Sequence, residues 1–289
     1  MKAIHAAPIF CLGLLLLFFT SYSFLREINP PSKHPSAVHI QLQNAHFQTL
    51  ASNNADILII DIDDAHLTPE EIRALQNNGK IIISYLSIGE AENYRDYWKN
   101  NWTVGSPRFI REENPQWQGN YLVDYYDPAW QEIIFEQLDT IITAGYDGVY
   151  LDVIDAYERH PIGTAEQMSV FVQNISTTAK NKHPRFLIFA QNALELTRLS
   201  GYVPAIDGIA REDLYFNDDD LQDTEETLTA LALLEHARKE GKTTFILDYP
   251  QSQANICAFY QECTAAGYSC FAGNRELDQP SKKTCATIN

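Results

Sequence analysis

Hydrophobic and polar positions along this chain fall into short apolar runs separated by longer stretches of helical spacing. Val38 to Leu42 (VHIQL) reads as a first strand, followed by a helical stretch beginning near Ala45. Asp56 to Ile62 (DILIIDI) is almost continuously apolar, as in a strand covered on both faces, and it ends among Asp61, Asp63 and Asp64. Thr68-Pro69-Glu70-Glu71 predicts a helix start, with an N-cap threonine, proline in the first turn and acids beside the helix dipole; that helix stops at Asn78-Gly79. Lys80 to Ile88 (KIIISYLSI) is the next strand and runs into Gly89-Glu90-Ala91-Glu92.

From Tyr94 to Gln118 the pattern is irregular and carries Trp98, Trp102 and Trp117. It is too long for an ordinary connection and reads either as a wall with aromatic platforms or as plain apolar cover. Tyr121 to Tyr125 is a short additional strand, and Asp127-Pro128 opens a helix that closes at Gly145. Tyr146 to Asp155 (YDGVYLDVID) then alternates with a period of two and is rich in β-branched and aromatic residues, the signature of a strand. Beyond it, helices are expected over 165–182, 225–240 and 254–266, and strands over 185–190, 206–210, 243–247 and 268–272.

Eight strands alternating with helices, one unit about every 30 residues, predict a single-domain α/β fold, the (β/α)8 TIM barrel. A doubly wound open sheet is the competing architecture, but neither GxGxxG nor GxxxxGK[ST] occurs. In a barrel the carboxyl ends of the strands share one face, so residues distant in sequence meet there.

Composition narrows the setting. Residues 1–23 place Lys2 ahead of an apolar run from Ile9 to Phe19 and then Ser21 and Ser23, the pattern of a signal peptide, with an uncleaved anchor as the alternative. Residues 24–36, with three prolines, read as a linker, and 37–289 as the barrel with a disulfide-bonded C-terminal segment. The expected location is secreted or periplasmic, without stable membrane association after cleavage. Cys257, Cys263, Cys270 and Cys285 fit two disulfides. If 254–266 is one helix, Cys257 and Cys263 are separated by about 9 Å of rise and cannot bond each other. Either of them then joins Cys270, and the other joins Cys285. The formal net charge of −17 argues against nucleic acid or an anionic membrane as partner and would attract a cationic substrate.

The chemistry expected at the strand ends is that of carboxylates and amides. A carboxylate on an apolar strand carries a large desolvation cost unless the strand opens into a polar cleft, which singles out Asp152. Glycosidic cleavage needs two carboxyl groups, and Asp152 and Glu212 are the expected catalytic pair, Asp152 as nucleophile or base and Glu212 as general acid. The acid role requires Arg211 to point away from Glu212, and a surface Arg-Glu-Asp loop is the competing reading. Asp61, Tyr85, Glu90, Asp155, Asn192, Asp248 and Tyr249 are candidate sugar contacts, against helix-capping readings for Asp61 and Asp155 and simple packing for Tyr85. The run Asn217-Asp218-Asp219-Asp220 lacks a calcium-loop spacing and reads as a solvated turn. No HExxH or paired histidine spacing occurs, so neither a metal nor another cofactor is expected.

The segments SYLSIGEAENYRDYW, AGYDGVYLDVIDAYE, IFAQNALEL, DGIAREDLYF and ILDYP together resemble the endo-alpha-1,4-polygalactosaminidase family of glycoside hydrolases, over roughly Val38 to Gly273. The resemblance implies a TIM barrel acting on galactosamine-containing polysaccharide, with Asp152 and Glu212 at the catalytic positions. A cationic amino-sugar polymer would suit the acidic balance of the chain. The characterised hydrolases stand closer to DGVEPDN where this chain has DGVYLDV, which motivates a non-catalytic carbohydrate-binding barrel as alternative. The many acids at strand ends motivate a metal-dependent phosphoesterase as another.

Overall fold

The structure, a computed structural model, describes residues 37–285. The expected signal peptide (1–23) and linker (24–36) lie outside the described residues. Eight parallel strands form one sheet in chain order: β1 (Val38–Gln41), β2 (Ile57–Ile60), β3 (Ile81–Ser87), β4 (Gly148–Asp152), β5 (Leu187–Gln191), β6 (Gly208–Glu212), β7 (Thr243–Asp248) and β8 (Ser269–Ala272). β1 and β8 lie side by side, and above them the N–H groups of Leu42 and Gln43 donate to the Leu277 carbonyl, at 2.8 and 3.2 Å. The sheet therefore curls into a nearly closed (β/α)8 barrel.

Helices cover the outside. The principal ones are α1 (Pro69–Asn77), α2 (Pro128–Ala144), α3 (Ala165–Lys182), α4 (Thr224–Lys239) and α5 (Gln253–Ala265). Their ends follow local chemistry. Thr68 and Glu71 form a capping box on α1, Asp127 caps α2 ahead of Pro128, and Gly145 closes α2 at φ 96°, a conformation glycine adopts without a Cβ penalty.

Strand alternation sorts the core into two compartments. Ile40, Ile59, Ile83, Tyr85, Tyr150, Phe189, Ala210, Phe245 and Leu247 pack together inside the barrel. Leu58, Ile60, Ile82, Val149, Leu151, Ile188, Ile209 and Ile246 belong to the apolar layer shared with the helices. Continuing the inward rows by two residues reaches Asp61, Asp152, Gln191, Glu212 and Tyr249 at the carboxyl ends of the strands.

The irregular stretch after β3 is ordered. Glu90–Glu92, Ile110–Glu113 and Asn120–Val123 form a three-stranded antiparallel sheet, with Glu90 opposite Leu122. The sequence pattern missed the edge strand Ile110–Glu113 because it exposes two acids and buries only Ile110 fully. Trp98 and Trp102 pack at 5.4 Å, and Trp102 continues through Phe109 to Trp130 in steps of 5.6 and 5.7 Å, so two of the three tryptophans noted in the sequence are half-buried cover packed against the core. Two disulfides, Cys257–Cys285 and Cys263–Cys270, fix the C-terminal segment; this is one of the two pairings that helix rise leaves open.

Candidate active site

The strand ends and the loops above them enclose a cleft of about 920 Å³. Asp152 and Glu212 both line it, as do Asp61, Tyr85, Glu90, Asp155, Asn192 and Tyr249.

Asp152 is the last residue of β4. Its Oδ2 accepts from the Tyr85 hydroxyl at 3.0 Å and its Oδ1 from the Val153 N–H at 2.7 Å. Val153 adopts φ 56°, a costly conformation for a β-branched residue, which turns the chain sharply away once the carboxyl has been presented. The β3 loop presses against that turn. Ile88 N–H donates to the Asp152 carbonyl at 3.0 Å, and a Cβ on Gly89 would meet the Val153 carbonyl oxygen at 2.1 Å. Only glycine fits there, which explains Gly89 physically. Burial, reinforced by the charge of Glu212, pushes Asp152 up to about 8.

Glu212 ends β6. Oε2 accepts from Gln191 Nε2 at 2.9 Å, Oε1 accepts a short hydrogen bond from the Tyr249 hydroxyl, and its N–H donates to Asn192 Oδ1 at 3.0 Å. Burial raises its pKa, and the Tyr249 hydrogen bond is the chief opposing influence. Arg211 turns outward to Glu226 at 2.8 Å, so the neighbouring guanidinium does not hold Glu212 ionised. Arg275 pairs instead with Asp213 at 3.1 Å and stacks over the Tyr249 ring at 4.3 Å.

Burial raises both carboxyls, and the charge of Glu212 raises Asp152 further, so the two titrate as a coupled pair.

The remaining candidates divide. Asp61 caps the short helix Ile62–Ala65 through Asp63 N–H at 2.9 Å and pairs with Arg95 at 2.8 Å. Glu90 is buried and held by Arg159 at 2.8 Å and Asn114 at 2.9 Å. Asp155 stands at the N-cap position of Ala156–Arg159, yet its side chain makes no capping hydrogen bond. Asn192 takes φ 57° and spends its Oδ1 on Glu212.

Asp248 is a correction. It is fully buried, does not line the cleft, and accepts from the N–H groups of Leu214, Tyr215 and Phe216 at 2.8, 2.9 and 3.0 Å, fixing the loop after Glu212. Its place in the strand explains this: it is two residues beyond Ile246, on the outward row. The Asn217–Asp220 run forms a small hairpin in which Asp219 caps the start of α5 through Gln251 and Ser252 N–H, at 2.8 and 2.9 Å. Among the described residues no three His, Cys, Asp or Glu side chains are grouped to hold a metal ion.

Sequence reasoning missed Arg95, Gln191 and Arg275. Gln191 was findable, since it continues the inward row of Phe189. Arg95 and Arg275 come from loops, where no periodicity marks direction. Trp117, 46% exposed, is the one tryptophan of the irregular stretch that reaches the cleft.

Known proteins resemble this chain in sequence and in fold. The model of glycoside-hydrolase family GH114 matches residues 25–287. An uncharacterised protein of Deinococcus radiodurans is 36% identical over 269 residues, 87% of this chain and 86% of its own length. Among solved structures, the glycoside hydrolase domain of PelA from Pseudomonas aeruginosa superposes with a TM-score of 0.68 at 18% identity, covering 85% of this chain and 97% of that one. Ega3 of Aspergillus fumigatus, solved in complex with galactosamine, gives 0.69 at 19% identity, covering 86% and 94%. These two show the shared barrel fold.

Proposed function

The chain belongs to glycoside-hydrolase family GH114, and from that premise we propose that it cleaves a galactosamine-containing polysaccharide with Asp152 and Glu212 as its catalytic carboxyl pair. The observation that carries the reading is the pair itself. Two desolvated carboxyls end the inward rows of β4 and β6, one strand apart in the barrel, share a cleft large enough for a sugar, and accept hydrogen bonds from hydroxyls and an amide.

A pair holding one proton has what glycosidic cleavage needs: a carboxylic acid to protonate the leaving oxygen, and a carboxylate to attack the anomeric carbon or to deprotonate the incoming water. Tyr85 and Tyr249 orient the two groups, and Trp117 offers an aromatic face to a pyranose ring at the rim. An amino-sugar polymer is cationic, which fits a chain of net charge −17 and a cleft lined by many acids. Export to an oxidising compartment belongs to the same proposal and is supported by the two disulfides.

The test is hydrolysis of an α-1,4-linked galactosamine polymer, read as reducing ends. Asp152→Asn and Glu212→Gln are each expected to lower kcat by roughly 10³-fold or more while circular dichroism stays native. Full activity in either variant would end the assignment.

A further inference from the structure

A tyrosine hydroxyl serves each carboxyl of the cleft, and both hydroxyls are committed: Tyr85 donates to Asp152 at 3.0 Å and Tyr249 to Glu212. A third phenol stands below them. Tyr150 lies on the inward row of β4, two residues before Asp152, and is 1% exposed, yet it lines the cleft. Its register neighbours are Tyr85 on β3 and Phe189 on β5, and its ring lies 5.8 Å from that of Phe245 on β7, so packing inside the barrel fixes where the hydroxyl stands.

That hydroxyl is buried and meets no hydrogen-bonding partner among the described residues. Of the buried side-chain polar atoms in that condition on the barrel strands and tyrosines, it is the one that lines the cleft. Burial, followed by the charges of Asp152 and Glu212, holds the phenol well above its ordinary pKa, so it stays a neutral donor over the range in which the pair titrates. It lies in the field of both carboxyls and is bonded to neither. A buried donor without a partner is costly, and a ligand oxygen arriving between the two carboxyls would relieve that cost.

We infer that Tyr150 is a substrate-contacting group of the active site, its hydroxyl donating a hydrogen bond to a hydroxyl oxygen of the sugar unit seated between Asp152 and Glu212. This rests on the hydrolase reading above and adds a contact to it. An interior unit of an α-1,4-linked galactosamine polymer keeps free hydroxyls at C3 and C6, so the acceptor is one of those two oxygens. A water molecule on the cleft floor offers the same acceptor chemistry, and the test separates the two. A contact at a non-reacting hydroxyl fixes the depth and rotation of the ring, which holds the glycosidic bond in line with the carboxyl pair.

The test is Tyr150→Phe in the full chain, which deletes the donor and keeps the ring. Hydrolysis of an α-1,4-galactosamine oligosaccharide is compared with that of its 3-deoxy and 6-deoxy counterparts, and the denaturant midpoint is read without substrate. On the complete substrate kcat/KM should fall by about 10-fold, the worth of one hydrogen bond. On one of the deoxy counterparts it should change by less than about twofold, because the missing hydroxyl already leaves Tyr150 unpaired. The midpoint of the variant should be no lower than that of wild type, since the hydroxyl is unpaired in the free protein. An unchanged kcat/KM overturns the inference, as does an equal fall on all three substrates, which would assign the hydroxyl to water. A fall accompanied by a lowered midpoint also overturns it, because the hydroxyl would then be structural. Each of these leaves the hydrolase reading standing. If wild type hydrolyses none of the three, the hydrolase reading fails, and calorimetric binding decides the contact. A weaker affinity of Tyr150→Phe for the complete oligosaccharide, absent with one deoxy counterpart, retains it; equal affinities, or no binding by wild type, overturn it.

Discussion

Two groups of acids crown the same barrel and are handled in opposite ways. On the β2–β3 side, Asp61, Asp63 and Glu92 surround the guanidinium of Arg95, which also stacks near the rings of Tyr85 and Tyr94 at 5.8 and 5.3 Å. On the β4–β6 side, Asp152 and Glu212 accept from Tyr85, Tyr249, Gln191 and a backbone N–H and are bonded to no guanidinium among the described residues. The first group is bound to a fixed cation, whereas the second, its pKa values raised by burial, can hold a proton that leaves. A fixed cation makes a rigid wall; a mobile proton makes an acid and a base. Tyr85 touches both groups, its ring under Arg95 and its hydroxyl on Asp152, so the wall also positions the chemistry.

Removing the cation should have the larger effect. Arg95→Ala leaves three carboxylates without their counter-charge, two of them buried, and is expected to cost about 3–5 kcal/mol at neutral pH, measured as a drop in the denaturant midpoint. The deficit should shrink as pH falls, because the stranded carboxylates then take up protons in the folded state. An undiminished midpoint would mean that the two groups do not differ in the way described.

Asp152→Asn should act with the opposite sign. The folded pKa of Asp152, about 8, lies above the unfolded value near 4. The folded protein therefore binds more protons than the unfolded chain between those values, and stability falls as pH rises through that window. Asparagine removes this cost. The variant should be more stable than wild type at pH 8 by on the order of 2 kcal/mol, with the gap closing toward pH 5. A destabilised variant at pH 8 would contradict the idea that Asp152 is held unpaired for chemistry.

The barrel was legible because burial imposes a period of two on strands and capping residues announce helices; Thr68, Asp127 and Gly145 stand where the sequence puts them. The catalytic candidates were legible for a narrower reason. Asp152 and Glu212 interrupt or end apolar strands on the inward row. Asp248 ends a strand just as plainly, and only the parity of Phe245, Leu247 and Tyr249 against Ile246 shows that it faces out. What the sequence hid was pairing. Whether Asp61 or Asp152 owns a cation depends on Arg95, carried in by a loop, and loop direction leaves no periodic trace. For the same reason Asp155 and Glu90 look equivalent along the chain and differ in the fold, Glu90 being bonded to the Arg159 guanidinium and Asp155 standing at a helix start that it does not cap.

The finest test of the comparison is whether a hydroxyl does at Glu212 what Arg95 does at Glu92. Tyr249→Phe deletes the donor to Oε1 but keeps the ring on which Arg275 stacks, so packing and the Arg275–Asp213 pair are preserved. The hydrogen bond from Tyr249 favours ionised Glu212, so its loss should raise the pKa of that carboxyl. Because Asp152 is held up to about 8 partly by the charge of Glu212, Glu212 is the member that ionises first. The acid limb of kcat/KM against pH should accordingly move upward by about one unit, with a much smaller shift in the alkaline limb. An acid limb that stays in place would show that Glu212 is set by burial alone, and that the tyrosine orients the carboxyl without stabilising its charge.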